Sequence, residues 1–517
     1  MTRINTNVPS LIAQQRLNRS GSELQVRLER LSTGLRINRG KDDPAGLIIS
    51  ERLATDIKGI EQAIKNGERA SAVISTTEAA LAEITDLLNS IKSLTVEAAN
   101  TGAVSDEERR ANQLQINSAI QSITRISNTT TFGGLKLLDG SLDYLTSGLT
   151  TSTIKKAEIF GASFIGTDSI DVAVDVIASA QKGGLYLNGD NATGNDGELL
   201  SGITIRVKGP DGVRELSFLS GTPYADIVTA VNNSTALTGV EAALINGDAT
   251  SGLVFRSSEY GSTAFVSVER VDKPADPADD NFNLFKYDAN ADYPGGVTFD
   301  WTDTNLVAAT RDAGRNVSAL INGILATGKG LNISINSPTL SMDLLLDETY
   351  AIDPSLAVKN FEITGGGALF QLGPDINALQ QTNIGIQATS AESLGGFLVD
   401  GSIQYLSSLQ DGQGNSLDDA NERNDFSPLE KIVNKAIDEV SILRGRLGAF
   451  ERNVLDTSTR SMQSAFENLT ASRSIIRDAD FASESSELTR AQILQSAGTT
   501  VLALANQSAQ NVLQLLG

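Results

Sequence analysis

Twelve residues from Asp411 to Glu422, DGQGNSLDDANE, place an acid at each end of a frame the length of a calcium loop. Gln413 stands where an acid or Asn is wanted, and Ser416 where the turn glycine belongs, so the stretch is expected to be a polar loop ahead of a helix. NGDNATGNDGE, from Asn188, reads as turns for the same compositional reason. The chain has no His and no Cys, which removes the commonest general base, thiol chemistry, disulfides and sulfur-ligated metal. No Ser or Lys nucleophile can be paired with a histidine base. Enzyme function, a catalytic set, a metal and a cofactor are all expected to be absent. Asn-x-Ser/Thr sequons at Asn128, Asn191 and Asn316 are short enough to arise by chance.

What remains is the chemistry of association. Net charge is −22, which makes nucleic acid and anionic membrane poor partners. At 517 residues the chain should form three or more domains. The first residues, MTRINTNVPSLIAQQ, lack a continuous apolar stretch and a small-residue cleavage site, so no conventional secretory signal is expected.

Both ends read as helices. Leu17, Gly21, Leu24, Leu28, Leu31 and Leu35 keep 4-3-4-3-4 spacing, the rhythm of a coiled-coil seam. Ala491 to Gly517 carries no charge, yet scattered Gln, Asn, Ser and Thr rule out a membrane span. Leu494, Ala497, Val501 and Leu504 form one stripe there, and Leu502, Ala505, Ala509, Val512 and Leu516 form a second beside it. A helix apolar over more than half its circumference must be packed on several sides. The two ends most simply pair, but a pair alone leaves much of that surface wet. Self-association is the expectation.

Between the ends, Asp43 suits an N-cap, Pro44 the first helical position, and Gly46 a close approach. From Leu53 to Leu88 an apolar 4-3 stripe continues, so one helix from Pro44 to Asn100 would span about 85 Å. Ser105 with Glu108 forms a capping box for a third helix, and Ser427, Pro428 and Glu430 read as N-cap, first-turn proline and capping acid for a fourth. Another helix is expected after Asp478-Ala479-Asp480. From roughly Thr129 to Asp425, short Val/Ile/Thr runs alternate with Gly, Asn and Asp turns, the pattern of antiparallel β units. VDKPADPADDNFNLFKYDANADYPGG reads as an acidic surface loop. The fold class expected is α+β: a long α-helical coiled-coil rod from the N- and C-terminal segments, with inserted antiparallel β domains.

INTN at Ile4 to Asn7, LSTGLRINRGKDDPAGLIIS at Leu31 to Ser50, and NLTASRSIIRDADFASESSELTRAQILQSAGTTVLALANQSAQNVLQLLG from Asn468 resemble bacterial flagellin, over about the first 140 and last 90 residues. FQLGPDINALQQTNIGIQ, from Phe370, resembles that family's return into its outer core. The resemblance implies a motility filament subunit, secreted without cleavage through the flagellar type III export apparatus. It implies a division into an inner-core helix at 1–42, outer-core helices and a β-hairpin at 43–180, surface β domains at 181–365, a return at 366–477, and an inner-core helix at 478–517. The assembly interface expected is Leu17, Leu24, Leu28, Leu31 and Leu35; the turn Asp42, Asp43, Pro44 and Gly46; and Leu494, Val501, Leu504, Val512 and Leu516. Implied partners are further copies of the chain, junction and cap proteins, an export chaperone at the C-terminal helix, and the export apparatus.

A host innate receptor is also implied, with its epitope at LLNSIKSLTVEAAN. Leu88, Leu94 and Val96 match, but Ser90 replaces the arginine of activating members, and the loss of a bidentate donor counts against activation. Rival readings are a hook–filament junction protein and a filament subunit whose middle also binds a surface. Deleting approximately Asn188 to Pro354 is expected to leave assembly intact.

Overall fold

The structure, a computed structural model, describes residues 6–164, 167–189, 197–272, 282–288, 299–399 and 401–514, with the side chains of 509–514 outside that description. Asn191 and the greater part of the acidic loop lie outside it too. Three helices open the chain: α1 (Val8–Thr33), α2 (Pro44–Ala98) and α3 (Asp106–Thr129). Short helices α4 (Tyr224–Asn232), α5 (Thr235–Thr238) and α6 (Glu348–Ile352) interrupt the β-rich middle. The chain then runs through α7 (Leu417–Arg423), α8 (Ser427–Phe450), α9 (Asp456–Arg477) and α10 (Phe481–Gln514). The fold is α+β, with long helices at both ends and antiparallel sheets between them.

Local chemistry sets most helix boundaries. The Asn7 carboxamide accepts from Ser10 N–H at 3.0 Å and caps α1, and Ser105 with Glu108 makes the expected capping box on α3. At α8 the cap differs from expectation. Ser427 lies inside the helix, and its N–H donates to the Asp425 carboxylate at 2.8 Å. Asp425 is the better acceptor because it carries charge at the positive end of the helix. The Asp411–Glu422 window is not a loop throughout: Ser416 caps α7 and exchanges hydrogen bonds with Asp419. Between α8 and α9, Glu451–Leu455 forms a π-helical turn that the heptad pattern does not announce.

Contacts divide the chain into two compact units. One comprises Met1–Ser71, Gln371–Gln380 and Arg452–Gly517; the other comprises Ala72–Phe370 and Gln381–Glu451. In α2 the buried line passes through Ala63, Ala70, Ile74, Thr77, Leu81, Ile84, Leu88 and Ile91. The 4-3 spacing expected from Leu53 to Leu88 also passes through Ile64, Ser71, Glu78 and Thr85, and at these four positions the buried line lies one residue toward the N-terminus, at Ala63, Ala70, Thr77 and Ile84. Small side chains and a threonine that bonds its own backbone suit such a line. In the second unit α3 contributes Ile116, Ile120 and Ile123, and α8 contributes Ile432, Ala436, Val440, Leu443 and Leu447.

Two β modules follow, one nested in the other. The outer one pairs a five-stranded sheet, ordered Ile324–Leu325, Ser318–Ile321, Ile170–Ala178, Lys359–Gly366, Tyr144–Ser147, with a four-stranded sheet ending in Leu340–Leu346 and Ile154–Ala162. Val172, Val174, Ile321, Ile333, Met342, Leu344 and Phe361 fill one core between them. The nested module is built from strands between Gly184 and Ala313 with α4 packed on it, around Leu185, Ile205, Tyr224, Ile227, Phe255 and Val268. Its two ends meet where Gln181 and Arg315 exchange backbone hydrogen bonds of 2.9 Å.

That nesting corrects the expected deletion. Removing Asn188 to Pro354 would strip Ser318–Ile321 and Leu340–Leu346 from sheets that keep Ile170–Ala178 and Ile154–Ala162. Each buried side chain lost, Ile321 or Met342 for example, forfeits roughly 1.5–3 kcal/mol. Excising residues 182–314 with a short linker cuts where the ends already touch. The shorter excision should melt within a few degrees of the intact chain by circular dichroism, and the longer one should be insoluble or melt far lower. Equal stability of the two would contradict the nesting.

Candidate assembly surface

α1 and α10 lie antiparallel in the first unit and meet along matched heptads. The inward line of α1 is Ser10, Ala13, Leu17, Ser20, Leu24, Arg27 and Leu31; that of α10 is Glu484, Leu488, Ala491, Gln495, Gly498, Leu502 and Ala505. All of these are buried or partly buried. Small residues, Ala13, Ser20, Ala491 and Gly498, alternate along the seam with Leu17, Leu24, Leu31, Leu488 and Leu502, and at the small residues the backbones approach closely. A Cβ on Gly498 would stand 3.1 Å from Leu17 Cδ1. Hydrogen bonds run across it: Ser20 Oγ to the Ala491 carbonyl at 3.4 Å, Asn7 Nδ2 to the Ala505 carbonyl at 3.0 Å, and Ser10 Oγ to Asn506 Oδ1 at 2.6 Å.

One ion cluster anchors the seam. Arg27 Nη1 reaches both Glu484 oxygens at 2.9 and 2.8 Å, and Arg30 Nη1 donates to Oε1 at 3.0 Å. Burial raises the Glu484 carboxyl's pKa, but hydrogen bonds and charge from the two guanidiniums outweigh it and hold the group below its ordinary 4.5.

The connections leaving this helix pair are tied to each other. Gly34 takes the left-handed conformation, φ 71°, and closes α1 through its N–H to Arg30 O at 2.8 Å. Leu35 and Asp478 then form an antiparallel bridge, with Arg36 N–H to Arg477 O at 2.7 Å and Ala479 N–H to Gly34 O at 2.9 Å. Asp42 accepts backbone N–H bonds from Arg39 at 2.9 Å and Asn38 at 3.2 Å, and the Arg39 bond leads in holding its carboxyl low. Asp43 caps α2 through the Gly46 N–H at 2.9 Å. A Cβ on Gly46 would lie 2.5 Å from Asp43 Oδ2 and 2.7 Å from Ile37 Cδ1, so a side chain there would have to displace the carboxylate that caps α2 and the tip of Ile37.

The interface residues expected from sequence fall on two sides of this pair. Leu17, Leu24 and Leu31 lie on the inward line, and Leu35 lies in the bridge. Leu28, Leu494, Val501 and Leu504 point outward; Val501 is 56% and Leu504 67% exposed. Val8, Leu11, Ile12 and Ile493 are exposed as well. The side chain of Val512 and the whole of Leu516 fall outside the described residues. Sequence reading missed the Glu484 clasp, Asn7 and Gly498. The α10 line that holds Glu484 and Gly498 keeps 4-3 spacing, and the second sequence stripe reached it at Leu502 and Ala505, but Glu484, Gln495 and Gly498 interrupt its apolar character.

Helices from both chain ends that pair with each other and offer exposed apolar faces have the build of a polymer-forming structural subunit. The chain matches the bacterial flagellin N-terminal helical region over residues 4–143 and the bacterial flagellin C-terminal helical region over residues 431–516. It is 31% identical to flagellins of Salmonella muenchen and Salmonella typhimurium and 30% identical to the B-type flagellin of Pseudomonas aeruginosa, each over 99% of both chains. The chain belongs to the bacterial flagellin family and is a filament subunit of the bacterial flagellum. Among solved structures it is similar to the flagellar junction protein FlgL of Legionella pneumophila (11% identity, TM-score 0.29, 83% of this chain and 99% of that one). It is also similar to FliC of Burkholderia pseudomallei (13%, TM-score 0.22, 74% and 99%). Scores this low add nothing to the assignment.

The clasp makes the helix pair acid-sensitive. A carboxyl with a depressed folded-state pKa stabilises fully above its ordinary value and loses that contribution as pH falls through the folded value. Glu484→Gln should weaken the pair by roughly 1.5–3 kcal/mol at neutral pH, the range for hydrogen bonds to charged groups. Circular dichroism melts at neutral and acid pH should show a smaller acid loss in the variant than in the parent. Identical pH profiles would remove the clasp from the energetics of the seam.

Proposed function

We propose that the chain polymerises through the outward apolar lines of α1 and α10, which neighbouring copies cover. The observation that carries this is the exposed stripe Leu494, Val501 and Leu504 on the charge-free part of α10 from Ala491 onward, beside exposed Val8, Leu11 and Ile12. Charge distribution supports it. The unit containing both helices is close to electroneutral, so nearly all of the −22 belongs to the other unit, and copies can pack the first without strong repulsion. The seam leucines Leu17, Leu24 and Leu31 hold the pair together. Asp42, Asp43, Pro44 and Gly46 set the turn, and Val512 and Leu516 are assigned to assembly from the sequence pattern alone.

On this reading residues 1–42 and 478–517 form the inner core and α2, α3, α8 and α9 the outer core; boundaries at 180 and 365 would cut through the outer β module, so the surface region is drawn to take in that module whole. The chain is exported through the type III apparatus to the cell exterior, its C-terminal helix held by a chaperone until release. Junction and cap proteins meet the two ends of the polymer. Its role is mechanical rather than catalytic. Ser90 in place of an arginine disfavours activation of a host receptor.

Val501→Asp tests the assembly surface. A carboxylate buried among neighbouring helices without a partner costs several kcal/mol in every copy. Filaments should be lost while the chain still accumulates in the medium, because export does not depend on this packing. Normal filament counts from the variant would mean that Val501 faces solvent in the polymer.

A further inference from the structure

Ile376 and Leu379 are 89% and 82% exposed, the highest values among the described large apolar side chains. They sit three residues apart in the segment Gln371–Gln380, which belongs to the same compact unit as α1 and α10. This is a built loop rather than a loose one. Gln371 Nε2 donates to the carbonyls of Gly373 at 2.8 Å and Asp375 at 2.7 Å, and the Asp375 N–H donates to Gln380 Oε1 at 2.7 Å. Asn377 Oδ1 accepts from the N–H groups of Leu379 and Gln380, both at 3.1 Å. The loop is fixed to α2: Asn66 Nδ2 reaches the Gln371 carbonyl at 3.3 Å, and a Cβ on Gly59 would stand 3.0 Å from Pro374 Cβ. Side-chain amides thus hold two branched apolar groups out in water, an arrangement that is unfavourable unless something covers them.

We propose that this loop is a second docking point between copies of the chain, in which Ile376 and Leu379 seat on a neighbouring subunit. The inference rests on the assembly reading above. A second copy is the committed occupant because the chain is a filament subunit, and the loop belongs to the near-neutral unit that carries the outward stripe of α10 rather than to the acidic β modules. A rigid loop presents its side chains without further ordering cost, which suits a contact repeated in every subunit.

The absence of cysteine makes the test direct. Ile376→Cys introduces a lone thiol, and so does the control Leu219→Cys, at an 80% exposed position in the nested module. Both are labelled with a maleimide as monomer and as filament. The Ile376→Cys rate should fall about tenfold or more on polymerisation, since thiol reactivity follows exposure, while the control keeps its rate. If the cysteine blocks polymerisation, filaments seeded with excess unsubstituted chain give the same readout. Equal labelling of Ile376→Cys in monomer and filament would overturn the proposal. So would protection that arises only when a different protein is added to the monomer. Failure of the unsubstituted chain to polymerise would instead count against the assembly reading.

Discussion

The contact between α1 and α10 is narrow. Ala13, Ser20, Ala491 and Gly498 let the two backbones approach closely, and Ser and Asn side chains bridge them. Leu17, Leu24, Leu31, Leu488 and Leu502 between these points are only partly buried, so each contributes less than the roughly 1.5–3 kcal/mol of a fully buried side chain. The Glu484 clasp adds direction more than energy. It fixes which turn of α10 faces which turn of α1, because two guanidiniums on one face can share one carboxylate in only one register. Leucines and valines on the remaining surface are consequently left facing out, and on the proposed assembly reading neighbouring copies supply their burial.

The same constraint explains the care taken at the turn between α1 and α2. An outward face is useful in a polymer only if every copy presents it at one angle. Two backbone hydrogen bonds between Arg36 and Arg477 and between Ala479 and Gly34 tie the two connections together, and the Arg477–Glu51 ion pair at 2.6 Å adds a side-chain tie to α2. Gly34 and Gly46 meet different demands there. The first needs a positive φ and the second needs empty space, which is why neither position tolerates a side chain well.

Much of this was legible in the residues, and what was hidden has a physical reason. Apolar periodicity announced α1, α2, α3, α8 and α10, because a buried helix face must repeat every three or four residues. The same signal pointed to Leu494, Val501 and Leu504, since hydrophobic stripes mark surfaces that need cover without saying whose. It marked the intrachain seam at Leu17, Leu24 and Leu31 but not at Ser20, Glu484, Gln495 and Gly498, which are polar or small. The nesting of the β modules was invisible for a different reason. Ile170–Ala178 and Ser318–Ile321 pair across well over a hundred residues, and no local pattern records such a partner. The π-turn at Glu451–Leu455 likewise keeps helical residue types while changing the hydrogen-bond count.

Hydrogen–deuterium exchange on α10 tests burial by neighbouring copies most directly, comparing monomer with filament at one pH and temperature. If copies cover the outward stripe, backbone amides from about Ile493 to Ser508 should slow by orders of magnitude on polymerisation. Amides of the nested module, for example in Ile203–Lys208, should keep their rates. Unchanged exchange across α10 in a filament confirmed by microscopy would contradict the assignment and leave those apolar side chains without a role in assembly.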